Sequence, residues 1–257
     1  MGINKQTYQR YQYKKAPLQE AIFEAKFSNE NLDIALPGQF FEKIREKFPK
    51  KNDLNIITVA IGISPSKVSE KPFIQAPVMQ AWNEERTSCL QIGPGIIAAN
   101  DMKYLHWQDF TQSIELLLKS YFECAKPLET KKVGFRCINR FLIPESSVAI
   151  SDYFCLGLSL PNTLHGSKGF DVTLLKESSY DCHEIIAKIR FASDSLLPNE
   201  DGVAFILDIE SFAVKDVDAN PKDILKVASS CHDHLKEIFE SFLQNKMRML
   251  LGGVQHD

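Results

Sequence analysis

The chain has 257 residues, 44% of them hydrophobic and 17 of them Phe, enough to bury one large core or two smaller ones without disulfide or metal support. Its formal charge of −3 supplies no overall basic field, which disfavours nonspecific binding to nucleic acid and leaves only a local basic face for such a role. The six cysteines (Cys89, Cys124, Cys137, Cys155, Cys182 and Cys231) form no C-x-x-C pair, so reduced, packed thiols are expected, with no metal cluster and no cofactor.

Residues 1–16 read as a polar segment in which Tyr8, Tyr11 and Tyr13 are placed to contact a partner. The segment lacks a secretory apolar core, and no later span approaches the roughly 18 apolar residues of a membrane helix, so a cytoplasmic protein is expected. In PLQEAIFEAKF, Ala21, Phe23, Ala25 and Phe27 alternate with Glu20, Glu24 and Lys26, the pattern of a half-buried strand. Pro37 opens a helix with the stripe Phe40, Phe41, Ile44 and Phe48, and Pro49 stops it. Asn55 to Ile63 reads as a strand and Ser64 to Pro77, with three prolines, as a loop. Val78 to Trp82 and Ser88 to Asn100 are strands around a turn. Trp107, Phe110, Ile114, Leu117, Leu118 and Tyr121 then mark a helix with one buried stripe.

The same order starts again near Lys131. VGFRCINRFLIP is a strand, Ile150 to Leu158 a short helix, and Phe170 to Leu175, His183 to Phe191 and Val203 to Val214 are strands. A last helix runs from Pro221 to about Leu251, with Asn220 as N-cap, Asp223 in its first turn and Gly252-Gly253 as its stop. The expectation is an α+β protein with two internally duplicated β-α-β-β-β-α units, residues 17–128 and 129–257. Their antiparallel sheet or sheets would curve over two long helices. In element order this resembles TATA-binding-protein-like saddles or helix-grip, START-like ligand carriers.

Four stretches carry a family resemblance: Pro17 to Phe27, LQIGPGIIAAND at Leu90 to Asp101 followed by Tyr104, Trp107 and Phe110, VGFRCINRFLIP, and HDHLKEIFESFLQNKMR near the end. In this order they are similar to a sporadically distributed bacterial family of chains about 250 residues long, and such a likeness implies a fold without implying chemistry. The patchy occurrence of that family resembles that of mobile or defence-related genes.

Arg136 and Arg140 lie four apart on a strand, on one face and roughly 13 Å from each other. Glu20 and Glu24 repeat the spacing, which suggests a cross-strand ion ladder if the two opening strands are neighbours. The functional alternative is that Arg136, Arg140 and Asn139 receive an anionic group or an acidic partner, although Asn139 falls on the opposite face. Gly93-Pro94-Gly95-Ile96-Ile97-Ala98 matches a dinucleotide fingerprint in letters, but strand follows it where a helix is needed, so a β-turn is expected. His165-Gly166-Ser167-Lys168-Gly169 lacks phosphate-loop spacing. His232 and His234 are two apart on a helix and diverge, which argues against a shared metal. His183 shares a strand face with Ile185 and Ala187 and is expected as a hydrogen-bonded core residue, while adjacent Cys182 faces away from it and forms no dyad. These readings favour a binding protein that contacts a protein partner or a second copy of itself, ahead of a small-ligand carrier or an enzyme of new type.

Overall fold

The computed structural model describes residues 10–28, 33, 35–54, 57–64, 67–74, 78–157, 169–180, 183–215 and 217–256. Its elements are β1 (Arg10–Tyr13), β2 (Leu18–Phe27), α1 (Leu36–Ile44), β3 (Lys50–Leu54), β4 (Ile57–Ser64), β5 (Lys67–Ile74), β6 (Val78–Trp82), β7 (Ser88–Gly93), β8 (Ile96–Asp101), α2 (Trp107–Ala125), β9 (Thr130–Ile143), α3 (Ile150–Tyr153), β10 (Asp171–Tyr180), β11 (His183–Asp194), β12 (Val203–Ala213), α4 (Pro221–Phe242), α5 (Asn245–Leu250) and β13 (Gly253–His256). The fold is α+β, as the pattern of periods predicts. Nine strands form one sheet in the order β10-β11-β12-β9-β2-β8-β7-β6-β3, and β1-β13 and β4-β5 are two-stranded. The chain divides into two compact units. One comprises Met1–Glu20, Phe135–Phe212 and Ser229–Asp257; the other comprises Ala21–Gly134 and Ala213–Ala228.

In the unit holding Ala21–Gly134, period-two burial of Ala21, Phe23, Ala25 and Phe27 gives β2 one apolar face. The buried stripe of α2, from Phe110 to Tyr121, packs against it, and the Phe27 and Tyr121 rings stack at 5.3 Å. Gly93 to Ile96 is the turn joining antiparallel β7 and β8, with Gly95 at φ +61° and its carbonyl accepting from the Phe27 N–H at 2.7 Å. The predicted β-turn therefore holds, and the glycine is needed for a left-handed backbone. At Asn220 the side-chain Oδ1 accepts from the Asp223 N–H at 3.0 Å, the predicted N-cap of α4.

Two segments differ from expectation. A strand, β3, precedes Asn55, and the presumed loop from Ser64 to Pro77 contains β5, paired antiparallel with β4. Pro72 stands opposite Val59 in a ribbon that has two strands among the described residues, so each strand has a side without a ladder partner there, where a missing N–H costs little. Counting prolines as loop signals overlooks this.

The unit holding Phe135–Phe212 is built around Phe154, which is fully buried. Its ring meets Phe141 at 5.2 Å, Phe191 at 4.7 Å, Phe205 at 5.7 Å and Phe242 at 6.0 Å. The predicted helix from Ile150 ends at Tyr153, because Phe154 enters a β-bridge with Leu243. The same bridge stops the last helix early. The Cys155 N–H donates to the Phe242 carbonyl at 2.8 Å and the Gln244 N–H to the Tyr153 carbonyl at 2.9 Å, so backbone groups that would have continued α4 are used sideways. The chain turns through α5 and Gly252, φ +64°, into β13, which pairs with β1. A Cβ on Gly253 would lie 3.0 Å from both the Arg248 carbonyl and the Tyr13 ring, so a side chain there would press on both.

Replacing Phe154 with Ala is expected to cost about 3–5 kcal/mol, since it empties the centre of a ring cluster. Asn220→Ala is expected to cost about 1 kcal/mol. Urea unfolding followed by circular dichroism measures both, and equal losses would show that the ring cluster is not central.

Candidate functional site

The alternation of β9 sorts its side chains. Val133, Phe135, Cys137, Asn139, Phe141 and Ile143 are buried. In the unit holding Phe135–Phe212, that face meets α4, with the Phe135 ring against His232 at 5.4 Å and the Phe141 ring against Phe239 at 6.4 Å. Arg136, Ile138 and Arg140 consequently lie on the face turned away from α4.

On that face each arginine is met by carboxylates. Arg136 donates from Nε to Asp208 Oδ1 at 2.8 Å and from Nη2 to Oδ2 at 2.6 Å. Arg140 donates from Nε to Asp194 Oδ2 at 2.6 Å, from Nη1 and Nη2 to the two Glu200 oxygens at 2.8 and 2.7 Å, and from Nη2 to the Ser195 carbonyl at 3.0 Å. Arg190 clasps Asp171 through Nε and Nη2, with a shortest contact of 2.6 Å. The hydrogen bonds to Asp208 raise the pKa of Arg136, and those to Glu200 and Asp194 raise that of Arg140. The Arg140 fork and the Leu197 N–H together lower Glu200 to about 2. These are planar charge-assisted forks, a geometry suited to arginine and not to lysine.

Each expected site residue has a defined place, apart from Tyr8, which lies outside the described residues. Arg136 and Arg140 do not wait for an anion, because Asp208, Asp194 and Glu200 occupy their forks. Of the expected ladder, Glu20 acts electrostatically on Arg136, behind Asp208 and Glu210. In the other unit, Glu24 pairs with Lys132 at 3.1 Å and Lys26 at 3.4 Å. Asn139, 3% exposed, donates to the Leu207 carbonyl at 3.2 Å on the α4 side, apart from the arginines, as its parity requires. Tyr11 and Tyr13 are held within the fold. Their rings stack at 6.1 Å, the Arg248 guanidinium lies 4.3 Å over Tyr11, and the Tyr13 hydroxyl donates to Glu240 at 2.9 Å and accepts from Arg248 at 2.7 Å. Burial and the Glu240 carboxylate push the Tyr13 phenol up. An open depression of about 280 Å³ beside them is lined by Gln12, Tyr13, Lys14 and Val254.

The histidines separate as predicted. His232 contacts Asp233 at 2.9 Å, whereas His234, 4% exposed, shares a hydrogen bond of 2.9 Å between Nδ1 and Ser211 Oγ. The Tyr180 ring lies 5.2 Å from His234, and its hydroxyl donates to Glu237 at 2.9 Å. Burial, with Lys176 assisting, lowers the His234 pKa. His183 departs from expectation, for both ring nitrogens are buried and neither has a hydrogen-bond partner among the described residues. Among those residues, no three His, Cys, Asp or Glu side chains converge as metal ligands.

Sequence reasoning did not find the carboxylate partners. Asp171, Asp194, Glu200 and Asp208 lie between 19 and 72 positions from the arginines they meet, and strand register, with the loop after β11 for Glu200, brings them together. It also missed a row of side chains in the unit holding Ala21–Gly134. There Trp82 Nε1 donates to Gln80, Gln80 to Gln91 and Gln91 to Asn100, at 3.3, 3.2 and 2.8 Å. Comparison with protein-family models gives no match, and a search of curated proteins gives none either.

Two pH responses follow from these pKa shifts. Glu200 has a folded pKa of about 2 against an ordinary 4.5, so its stabilisation is complete above about 4.5 and is lost as pH falls toward about 2. The urea midpoint of the parent should exceed that of Glu200→Gln at neutral pH, and the gap should close in acid. His234 behaves in the same direction for the opposite reason. Its folded pKa lies below the ordinary 6.5, so the buried ring resists a proton that the unfolded chain accepts, and stability falls as pH drops below about 6.5. A His234→Gln variant should show a flatter dependence of unfolding midpoint on pH in that window.

Proposed function

We propose that this is a non-catalytic binding protein that engages a protein partner through the sheet face turned away from α4, in the unit holding Phe135–Phe212. One observation carries the reading. Arg136, Arg140 and Arg190 are each locked to carboxylates on that face, with Ile138, Ile186 and Ile206 half-buried on the same side of β9, β11 and β12. Fixed guanidinium forks interspersed with aliphatic side chains have the composition of a protein interface, and their preorganisation lowers the entropy lost on docking.

The charge balance supports protein over nucleic acid. Asp171, Glu177, Glu184, Asp194, Asp208 and Glu210 outnumber Arg136, Arg140, Lys188 and Arg190 there, and such a surface repels a phosphate backbone. Packing supports surface binding over the carrier alternative, since the rings of Phe141, Phe154, Phe191, Phe205 and Phe242 fill the space between sheet and α4 in this unit. The proposal includes an internal duplication with the element order of TATA-binding-protein-like domains. Its support is the strand order, which runs β2-β8-β7-β6 in the first half and β9-β12-β11-β10 in the second. The accessory or defence-related bacterial setting of the proposal rests on the family resemblance.

Affinity purification of the full chain from its native host, compared with an Ile186→Asp variant and a Lys236→Glu control on α4, tests the proposal. A protein retained by parent and control and lost by Ile186→Asp is expected. Equal retention by all three, or recovery of only nucleic acid or a small molecule, overturns it.

A further inference from the structure

The two ends of the nine-stranded sheet are built differently. At one end β3 has five residues and begins Lys50-Lys51, and short length and lysines both blunt an edge. At the other end β10 has ten residues, contains no proline, and pairs with β11 one to one from Asp171↔Ala192 to Tyr180↔His183 without a bulge. Its Leu174 is 46% exposed and its Leu175 72%. Among the described residues no strand pairs with its outer side, where alternate N–H and C=O groups of a one-sided ladder point outward.

We propose that two copies of the chain associate through this edge, β10 pairing antiparallel with β10 of the second copy about a two-fold axis at Leu175. The sequence of the strand selects both occupant and register. A two-fold axis normal to the sheet keeps the α4 face of both copies on one side and opposes residues an even number of positions apart. Centred on Leu174, it sets Asp171 against Glu177. Centred on Lys176 or Glu177, it sets that charge against its own copy. Centred on Thr173 or Ser178, or nearer either end, it uses at most five residues of the strand. Centred on Leu175, it joins the two Leu175 side chains and sets Leu174 against Lys176, Thr173 against Glu177 and Asp171 against Ser179, with no like charges opposed. The strand is therefore complementary to itself, which a surface evolved for a foreign strand has no reason to be. The inference concerns assembly and does not rest on the proposed partner.

Light scattering of the full chain over a dilution series should give the mass of two chains. Leu175→Lys, which places two cations at the axis, should halve that mass while circular dichroism stays unchanged. In a Leu175→Cys variant the two Cα atoms meet at cross-strand spacing, about 4.5–5.5 Å, within disulfide reach. Mild oxidation should thus produce a covalent dimer above the background of the parent, and Glu177→Cys should not. The cross-link decides the matter even if Leu175→Lys fails to fold. A parent that is monomeric at every concentration overturns the proposal, as does a dimer that cross-links through Glu177→Cys and not through Leu175→Cys. A monomeric chain that still retains its protein partner removes this inference and leaves the binding proposal standing.

Discussion

Guanidinium forks laid across strands are the interaction on which the outward sheet face depends in the unit holding Phe135–Phe212. Arg136 ties β9 to β12 through Asp208, Arg190 ties β11 to β10 through Asp171, and Arg140 ties β9 to the end of β11 and to the loop carrying Glu200. A partly exposed ion pair contributes little when its side chains must be ordered for it alone. Here the strands have already fixed both partners, so the forks hold donors and acceptors in place at small entropic cost. The face is therefore patterned with paired charges.

The opposite face obeys a different rule. Rings around Phe154 exclude water, and the bridge from Phe154 to Leu243 ends α4 where helical periodicity alone would have carried it onward. That break redirects the C-terminal chain through α5 to β13, where it meets β1 near the other end of the sequence. Tyr13, Glu240 and Arg248 then form one network from residues far apart in the chain. Aromatic residues in a polar leader suggested a recognition segment. In the structure Tyr11 and Tyr13 anchor β1 to the C-terminal helices.

Sheet edges add a further constraint. Every open sheet has two, and each must be blunted, covered or used. The lysines at β3 fit the first solution, and the long, bulge-free β10 with its adjacent leucines fits the third.

Much of this architecture was legible from periodicity. The alternation in β2 and β9, the stripes of α2 and α4, the Asn220 cap and the glycine turn between β7 and β8 are local properties, set by steric and hydrogen-bonding rules that act within a few residues. The sequence by itself therefore determined the type of most elements, which residues of β2, β9, α2 and α4 face the core, the α+β class and the divergence of His232 from His234. Tertiary structure alone decided which carboxylate each arginine meets, where α4 stops, that a proline-bearing segment is a strand, and that β1 pairs with β13. Those outcomes depend on strand register and on backbone groups exchanged between distant segments, and no local spacing encodes which distant residue arrives opposite a given side chain.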